Sequence, residues 1–170
     1  GLQAFLKIAQ HQNISHYPIH IKLDTGMHRL GFEPHLIDEL CSLLKNNNFV
    51  KVKSVFSHLA ASDDLQFDDF TKLQFQRFDA MYSELEKVLP SKPIRHILNT
   101  SGIFNYAEKQ MEMVRLGIGL YGIGNSEQEL KVLENVSTLK TIISQIREVL
   151  PEESIGYSRR FRVTQKMKVA

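Results

Sequence analysis

Four groups of polar residues fall at the ends of apolar runs, where a side chain able to do chemistry is held in place as well as solvated. Lys22 and Asp24 close the run through Ile19, Ile21 and Leu23, and Arg29 lies in the loop behind them. His58 closes the run that opens at Phe49. Asn99-Thr100-Ser101 follow Ile97 and Leu98, and Arg115 is followed at once by Gly117 and Gly119. Arg29 and Arg115 are permanent cations with forked donors. Gly117 and Ile118 offer backbone N–H groups unobstructed by a glycine side chain, and Thr100 adds a hydroxyl at a helix start. Such a set suits an anionic ligand and makes a phosphate cradle. Each group also has a plainer reading. Lys22 could end a strand in solvent, His58 could be a hydrogen-bonded half-buried histidine, Asn99 to Ser101 could cap a helix over 102–107, and Arg115 could pair with any carboxylate. No G-x-G-x-x-G and no P-loop accompanies them, which disfavours a dinucleotide or ATP-type site.

The elements that must position these groups follow from periodicity. Residues 17–24 alternate and predict a strand. Leu36, Ile37, Leu40, Leu43 and Leu44 are at helical spacing, and Asn46 to Asn48 end that helix. Phe49–Leu59 predicts a second strand, Phe67–Leu89 a long helix with Phe70, Gln74, Phe78, Met81, Leu85 and Val88 along one side, and Ile94–Asn99 a third strand. Val114–Ile123 predicts a short, glycine-spaced fourth strand. A first helix is expected from Leu2, Phe5, Leu6, Ile8 and Ala9. Strand, loop and helix in repetition argue for parallel strands with right-handed crossovers, in an open α/β sheet or a barrel. After Gly124 the texture changes. A short helix over 126–136 gives way to a strand through Leu139, Ile142, Ile143, Ile146 and Val149, and 155–170 is again strand-like. Strands without intervening helices predict a second, β-rich domain, so the expected division is 1–124 and 125–170.

Composition narrows the classes. In 170 residues, the net charge of +2 is too even for a nucleic-acid groove or a polybasic membrane patch. With 42% hydrophobic and 24% charged residues the chain reads as globular, not disordered. Cys41 is the only cysteine, which excludes an intrachain disulfide and a cysteine-based zinc site and fits a reducing, cytoplasmic setting. The histidines form no recognisable ligand set, so no metal is expected. No run approaches a membrane span, so neither nucleic acid nor membrane is expected as a partner.

The residues also resemble a known family. Ile21-Lys-Leu-Asp-Thr-Gly-Met-His-Arg-Leu-Gly31 is similar to the lysine-containing D-T-G-M-x-R-x-G segment of alanine racemases. Ser57-His-Leu-Ala-Ala-Ser-Asp63, His96-Ile-Leu-Asn-Thr-Ser101, Met113-Val-Arg-Leu-Gly-Ile-Gly-Leu-Tyr-Gly122 and Ser154-Ile-Gly-Tyr-Ser-Arg159 resemble further segments in the family's order. The first and fourth are specific; the second and third are weak alone. The resemblance implies pyridoxal-phosphate enzymes that pair a (β/α)8 barrel with a C-terminal β-domain. This chain would supply the second half of the barrel and the first strands of the β-domain.

By that resemblance, Arg115 hydrogen-bonds the pyridine nitrogen of pyridoxal 5'-phosphate, His58 lies along the ring and links to Arg115, and Asn99, Thr100, Gly117 and Ile118 help hold the cofactor. Arg29 serves the substrate carboxylate, and Lys22 matches a lysine that is carbamylated in many members. Tyr157 is implied as a catalytic base reaching the site from the other subunit of a homodimer. The implied activity interconverts L- and D-alanine for peptidoglycan precursors. Two departures stand out. The lysine that anchors the cofactor as a Schiff base has no match in this chain, and His28 stands where a small residue, often glycine, is common. The chain is therefore expected to be a fragment, inactive by itself and prone to pair its open sheet edges. Two alternatives stay open: a racemase of another amino acid, or a non-catalytic binding or assembly module of the same fold.

Overall fold

A computed structural model describes residues 1–170, which divide into two compact units, Gly1–Val136 and Ser137–Ala170. In the first unit, the elements are α1 (Leu2–His11), β1 (Tyr17–Lys22), α2 (Ile37–Leu44), β2 (Val50–Phe56), α3 (Asp68–Val88), β3 (Ile94–His96), α4 (Thr100–Asn105) and α5 (Glu127–Val132). The three strands form a parallel sheet in the order β1-β2-β3. Parallel strands with helical crossovers are the expected α/β barrel-type arrangement.

Helix α3 is the main cover of the sheet. Gln74, Phe78, Met81 and Leu85 are buried on the expected side, joined by Thr71, Phe75 and Tyr82. They pack with Leu40 and Leu44 of α2 and with Ile21, Leu23, Val52, Val55 and Leu59 around the sheet. Lys51 and Lys53 are exposed, but Ser54 and Val55 are both buried, so β2 is enclosed on both faces only towards its C-terminal end. In α1 only Ala9 is fully buried, while Ile8 of the predicted stripe is half exposed.

A β-bulge between Ile19 and His20 skips Lys53, so His20 pairs with Ser54 and Lys22 with Phe56. Across the next ladder Ser54 pairs with Ile94 and Phe56 with His96. This register aligns the strand ends that carry the polar groups.

The fourth strand predicted over Val114–Ile123 does not form. The backbone runs beside β3 only far enough for Met113 N–H to donate to Arg95 O (3.3 Å) and Arg115 N–H to Leu98 O (3.0 Å). It then turns into a 3-10 helix, Ile118–Tyr121, closed by Gly122 in the left-handed region at φ 75°. The reason is local. The Thr100 hydroxyl accepts the N–H groups of Gly117 and Gly119, which a ladder would need, and glycine offers no side chain to hold a pleat. The third strand is also shorter than predicted, because the chain beyond His96 turns into the cap of α4.

The second unit contains two small antiparallel pairs: β4 (Arg147–Val149) with β7 (Met167–Val169), and β5 (Ser154–Ile155) with β6 (Phe161–Arg162). The strand predicted over 139–149 is reduced to β4. Residues 137–146 have no regular structure, and Leu139 and Ile142 stand 99% and 87% exposed, so no facing surface rewards their alternation.

Candidate functional site

Arg115 is the hub of the site. It enters from the segment beside β3, half-buried, and its two terminal nitrogens are saturated by acceptors from β2 and β3. Nη2 donates to Ser57 O at 2.6 Å and Ile97 O at 3.3 Å, and it meets His58 Nδ1 at 3.2 Å. Nη1 donates to His96 O at 3.3 Å and makes a short contact with His96 Nδ1. The guanidinium lies over the Phe56 ring at 5.4 Å, and that ring stacks on His96 at 4.8 Å. A planar fork held on both sides cannot swing, and Nε alone of its nitrogens has no protein acceptor.

The fork sets the charge of its neighbours. Burial, then the charge of Arg115, pushes His96 down to about 4; His58 is lowered for the same reasons, with Arg29 and Lys22 adding to it. Both imidazoles are therefore neutral near pH 7 and present Nδ1 lone pairs to the guanidinium. His96 then carries its proton on Nε2, which reaches Ser54 Oγ at 3.1 Å, and Ser54 Oγ meets His20 Nδ1 at 2.6 Å. His96, Ser54 and Phe56 were not among the site residues expected from the sequence. A histidine inside the apolar run predicted as the third strand was the available signal.

Thr100 stands beside this hub, 3% exposed at the start of α4. Its Oγ1 accepts from Gly117 N at 3.0 Å and Gly119 N at 3.2 Å, leaving the hydroxyl proton to donate elsewhere. The approach requires glycine, because a Cβ on Gly119 would come within 2.7 Å of Thr100 Cγ2. Ile118 follows on the exposed side. Asn99 caps α4: its Oδ1 accepts from Gly102 N at 2.9 Å and Ser62 Oγ at 2.7 Å. The capping reading is thus met by Asn99, while Thr100 faces the glycine turn.

The loop after β1 brings the remaining cations. Phe32 N donates to Lys22 O and Asp24 N to Phe32 O, closing the loop at its base. Asp24 Oδ1 accepts from Gly26 N and His28 N, which outweighs the raising effect of burial and holds that carboxyl low. His28 sits at φ 51°, the left-handed region that glycine tolerates best, so its departure from a small residue carries strain rather than a clash. Arg29 points to solvent without a hydrogen-bond partner, yet its charge lowers both Lys22 and His58. Lys22 is lowered first by burial, then by Arg29 and Arg115. Tyr157 stands on the other unit, 99% exposed, on a turn formed by Gly156 at φ 76°, Ser158 at 60° and Arg159 at 53°.

Lys22, Arg29, His58, Thr100, Arg115 and Gly117 are therefore gathered on one side of the sheet, at the C-terminal ends of parallel strands, where α/β folds place their ligands. A family model described as alanine racemase, N-terminal domain, matches residues 2–125. Alanine racemase 1 of Clostridium acetobutylicum is 35% identical over 167 residues, covering 95% of this chain and 42% of that protein. The structure of an alanine racemase from Clostridium difficile 630 superposes with a TM-score of 0.71 at 28% identity, over 98% of this chain and 44% of that one. An alanine racemase from Bartonella henselae, with covalently bound pyridoxal phosphate, shares the fold with a TM-score of 0.67 at 23% identity and the same coverage. The chain thus spans less than half the length of these relatives. The match over 2–125 shows that the chain belongs to the alanine racemase family through its N-terminal domain, and the parallel sheet is consistent with part of that domain's barrel.

Proposed function

We propose that this chain forms part of an enzyme that interconverts L- and D-alanine with pyridoxal 5'-phosphate, feeding peptidoglycan precursors in the cytoplasm. In this reading 1–124 is the second half of a (β/α)8 barrel and 125–170 opens the β-domain. The observation that carries it is the arginine fork clamped by two neutral imidazoles, with Nε alone lacking a protein acceptor.

The residues present fit the cofactor. Thr100 Oγ, with Gly117 and Ile118 beside it and Asn99 fixing the start of α4, would take the phosphate. His58 and Arg115 would take the ring. When bound, pyridoxal phosphate withdraws electrons from the substrate Cα and so acidifies its C–H bond. Arg115 does not give up its proton and, held as it is, donates only a hydrogen bond, which favours racemisation over reactions that need a protonated ring. Arg29, free of protein partners, binds the substrate carboxylate. Lys22, a cation disfavoured by burial and by Arg29, loses a proton. Its neutral amine attacks carbon dioxide, an N–C bond forms, a second proton leaves, and the resulting carbamate anion pairs with Arg29. Tyr157, from the partner protomer of a homodimer, removes or returns the Cα proton on one face. A lysine outside this chain serves the other face and anchors the cofactor, so the 170 residues alone do not turn over.

The test is a racemisation assay, with absorbance of bound pyridoxal phosphate, on the complete protein that carries this chain. Racemisation of alanine with bound cofactor is expected. Cofactor-free protein without racemase activity would overturn the reading. In the same protein Arg115→Glu is expected to raise transamination to pyruvate, and an unchanged product profile would remove Arg115 from the ring nitrogen.

A further inference from the structure

Helix α3 contains a buried polar group that neither the core nor the chemistry above accounts for. Gln74 is 0% exposed, in the middle of an apolar stripe. Its amide is fully used: Oε1 accepts from Ala60 N at 2.9 Å, and Nε2 donates to Thr25 Oγ1 and to His58 O, both at 3.1 Å. One turn further, on the same face, Arg77 Nη1 donates to Thr25 O at 3.0 Å. Thr25 Oγ1 also meets Ser57 Oγ at 2.8 Å, and Ser57 O is the shortest acceptor of Arg115 Nη2 at 2.6 Å. The helix therefore holds both the loop after β1 and the end of β2, which between them carry Arg29 and His58.

We propose that α3 acts as a clasp, in which Gln74 and Arg77 are positioning residues that fix the Arg29 loop against His58 and Arg115. The inference rests on the function proposed above. A glutamine is suited to the task because one planar group both donates and accepts, joining a hydroxyl, a carbonyl and an amide without a charge. A hydrophobic residue of the same volume would fill the core equally well and join nothing. Arg77 adds a second grip on the Thr25 carbonyl from outside the core, and its Nη1 would lie 3.3 Å from a Cβ on Gly26, close against the turn. The two grips divide the work. Gln74 reaches both loops, whereas Arg77 reaches the Arg29 loop alone.

The experiment compares Gln74→Met and Arg77→Met in the complete protein, with activity normalised to the folded fraction, and follows the Arg and His side-chain resonances of the 170-residue chain by NMR. Misplacing a catalytic group by about 1 Å costs on the order of 100-fold. Gln74→Met is therefore expected to lower kcat about 10- to 100-fold. Arg77→Met is expected chiefly to raise KM for alanine, and it leaves the core intact should Gln74→Met fold poorly. Thr25→Val, which removes the acceptor but keeps the shape, should add little to Gln74→Met. Kinetic constants within twofold of wild type for both variants, with only the melting temperature lowered, would overturn the clasp. If the wild-type protein does not racemise alanine, the function proposed above fails separately. The NMR arm then decides the clasp: shifted Arg115 and His58 resonances in Gln74→Met, with a shifted Arg29 resonance in Arg77→Met, support it, and unshifted ones refute it.

Discussion

Lowering the pH from 7 to 5 should destabilise this chain through His96. The residue is 4% exposed, and its folded-state value is about 4 against 6.5 for an unperturbed histidine. Between those values the unfolded chain binds a proton that the folded chain excludes, so stability rises with pH across that window and is lost as pH falls through it. A displacement of that size corresponds to about 2 kcal/mol lost between pH 7 and pH 5, and about 3 kcal/mol by pH 4. The cause is specific: a cationic His96 would point an N–H at Arg115 Nη1 instead of a lone pair. The other strongly lowered group, Glu112 at about 2, titrates below its ordinary 4.5, is half exposed in a surface pair with Arg95, and does not enter the upper window. Urea unfolding at pH 7 and pH 5, in wild type and in His96→Gln, isolates the effect, because a glutamine can offer Arg115 an oxygen and Ser54 an N–H without titrating. Wild type should lose about 2 kcal/mol more than the variant over this interval. Equal losses, or an imidazole titration of His96 centred near 6.5, would refute the neutral clamp.

Two other outcomes follow from the geometry. Gly31→Ala should cost about 1–3 kcal/mol in urea or thermal unfolding, since Gly31 has φ 124° and a Cβ there would lie 2.8 Å from the Asp24 backbone nitrogen; a loss below half a kilocalorie would show that the loop yields easily. In the complete protein, Tyr157→Phe should abolish proton exchange at Cα from one enantiomer of alanine far more than from the other, measured by deuterium incorporation, and equal losses would remove Tyr157 from the role of base.

What could be read from the sequence was what depends on one chain segment at a time. Lys22, His58 and Thr100 fall at strand ends because apolar alternation stops beside them, and α3 was bounded within a residue by its apolar stripe and the prolines that follow. The partners of Arg115 depend on how segments register. His96 reaches the guanidinium because β2 and β3 pair Phe56 with His96, and Ser54 reaches His20 only because the bulge at Lys53 shifts β1. Such a slip has no local signature. The reading of Val114–Ile123 as a strand failed for a related reason. Its apolar alternation is real, but the hydrogen-bonding capacity of Gly117 and Gly119 is taken by a threonine hydroxyl from another segment. Gln74 was placed correctly on the buried side of α3, but a periodic pattern counts it as a core position and is blind to the three backbone and hydroxyl groups it joins.

In the proposed function Arg115, clamped by neutral His58 and His96, keeps the cofactor ring unprotonated. The most direct measurement is the 15N chemical shift of the pyridine nitrogen of labelled pyridoxal phosphate bound to the complete protein. A shift typical of a neutral, hydrogen-bonded nitrogen, moving in Arg115→Glu towards the protonated value, is the result predicted. A protonated nitrogen in the wild-type protein, or one indifferent to the residue at 115, would contradict it.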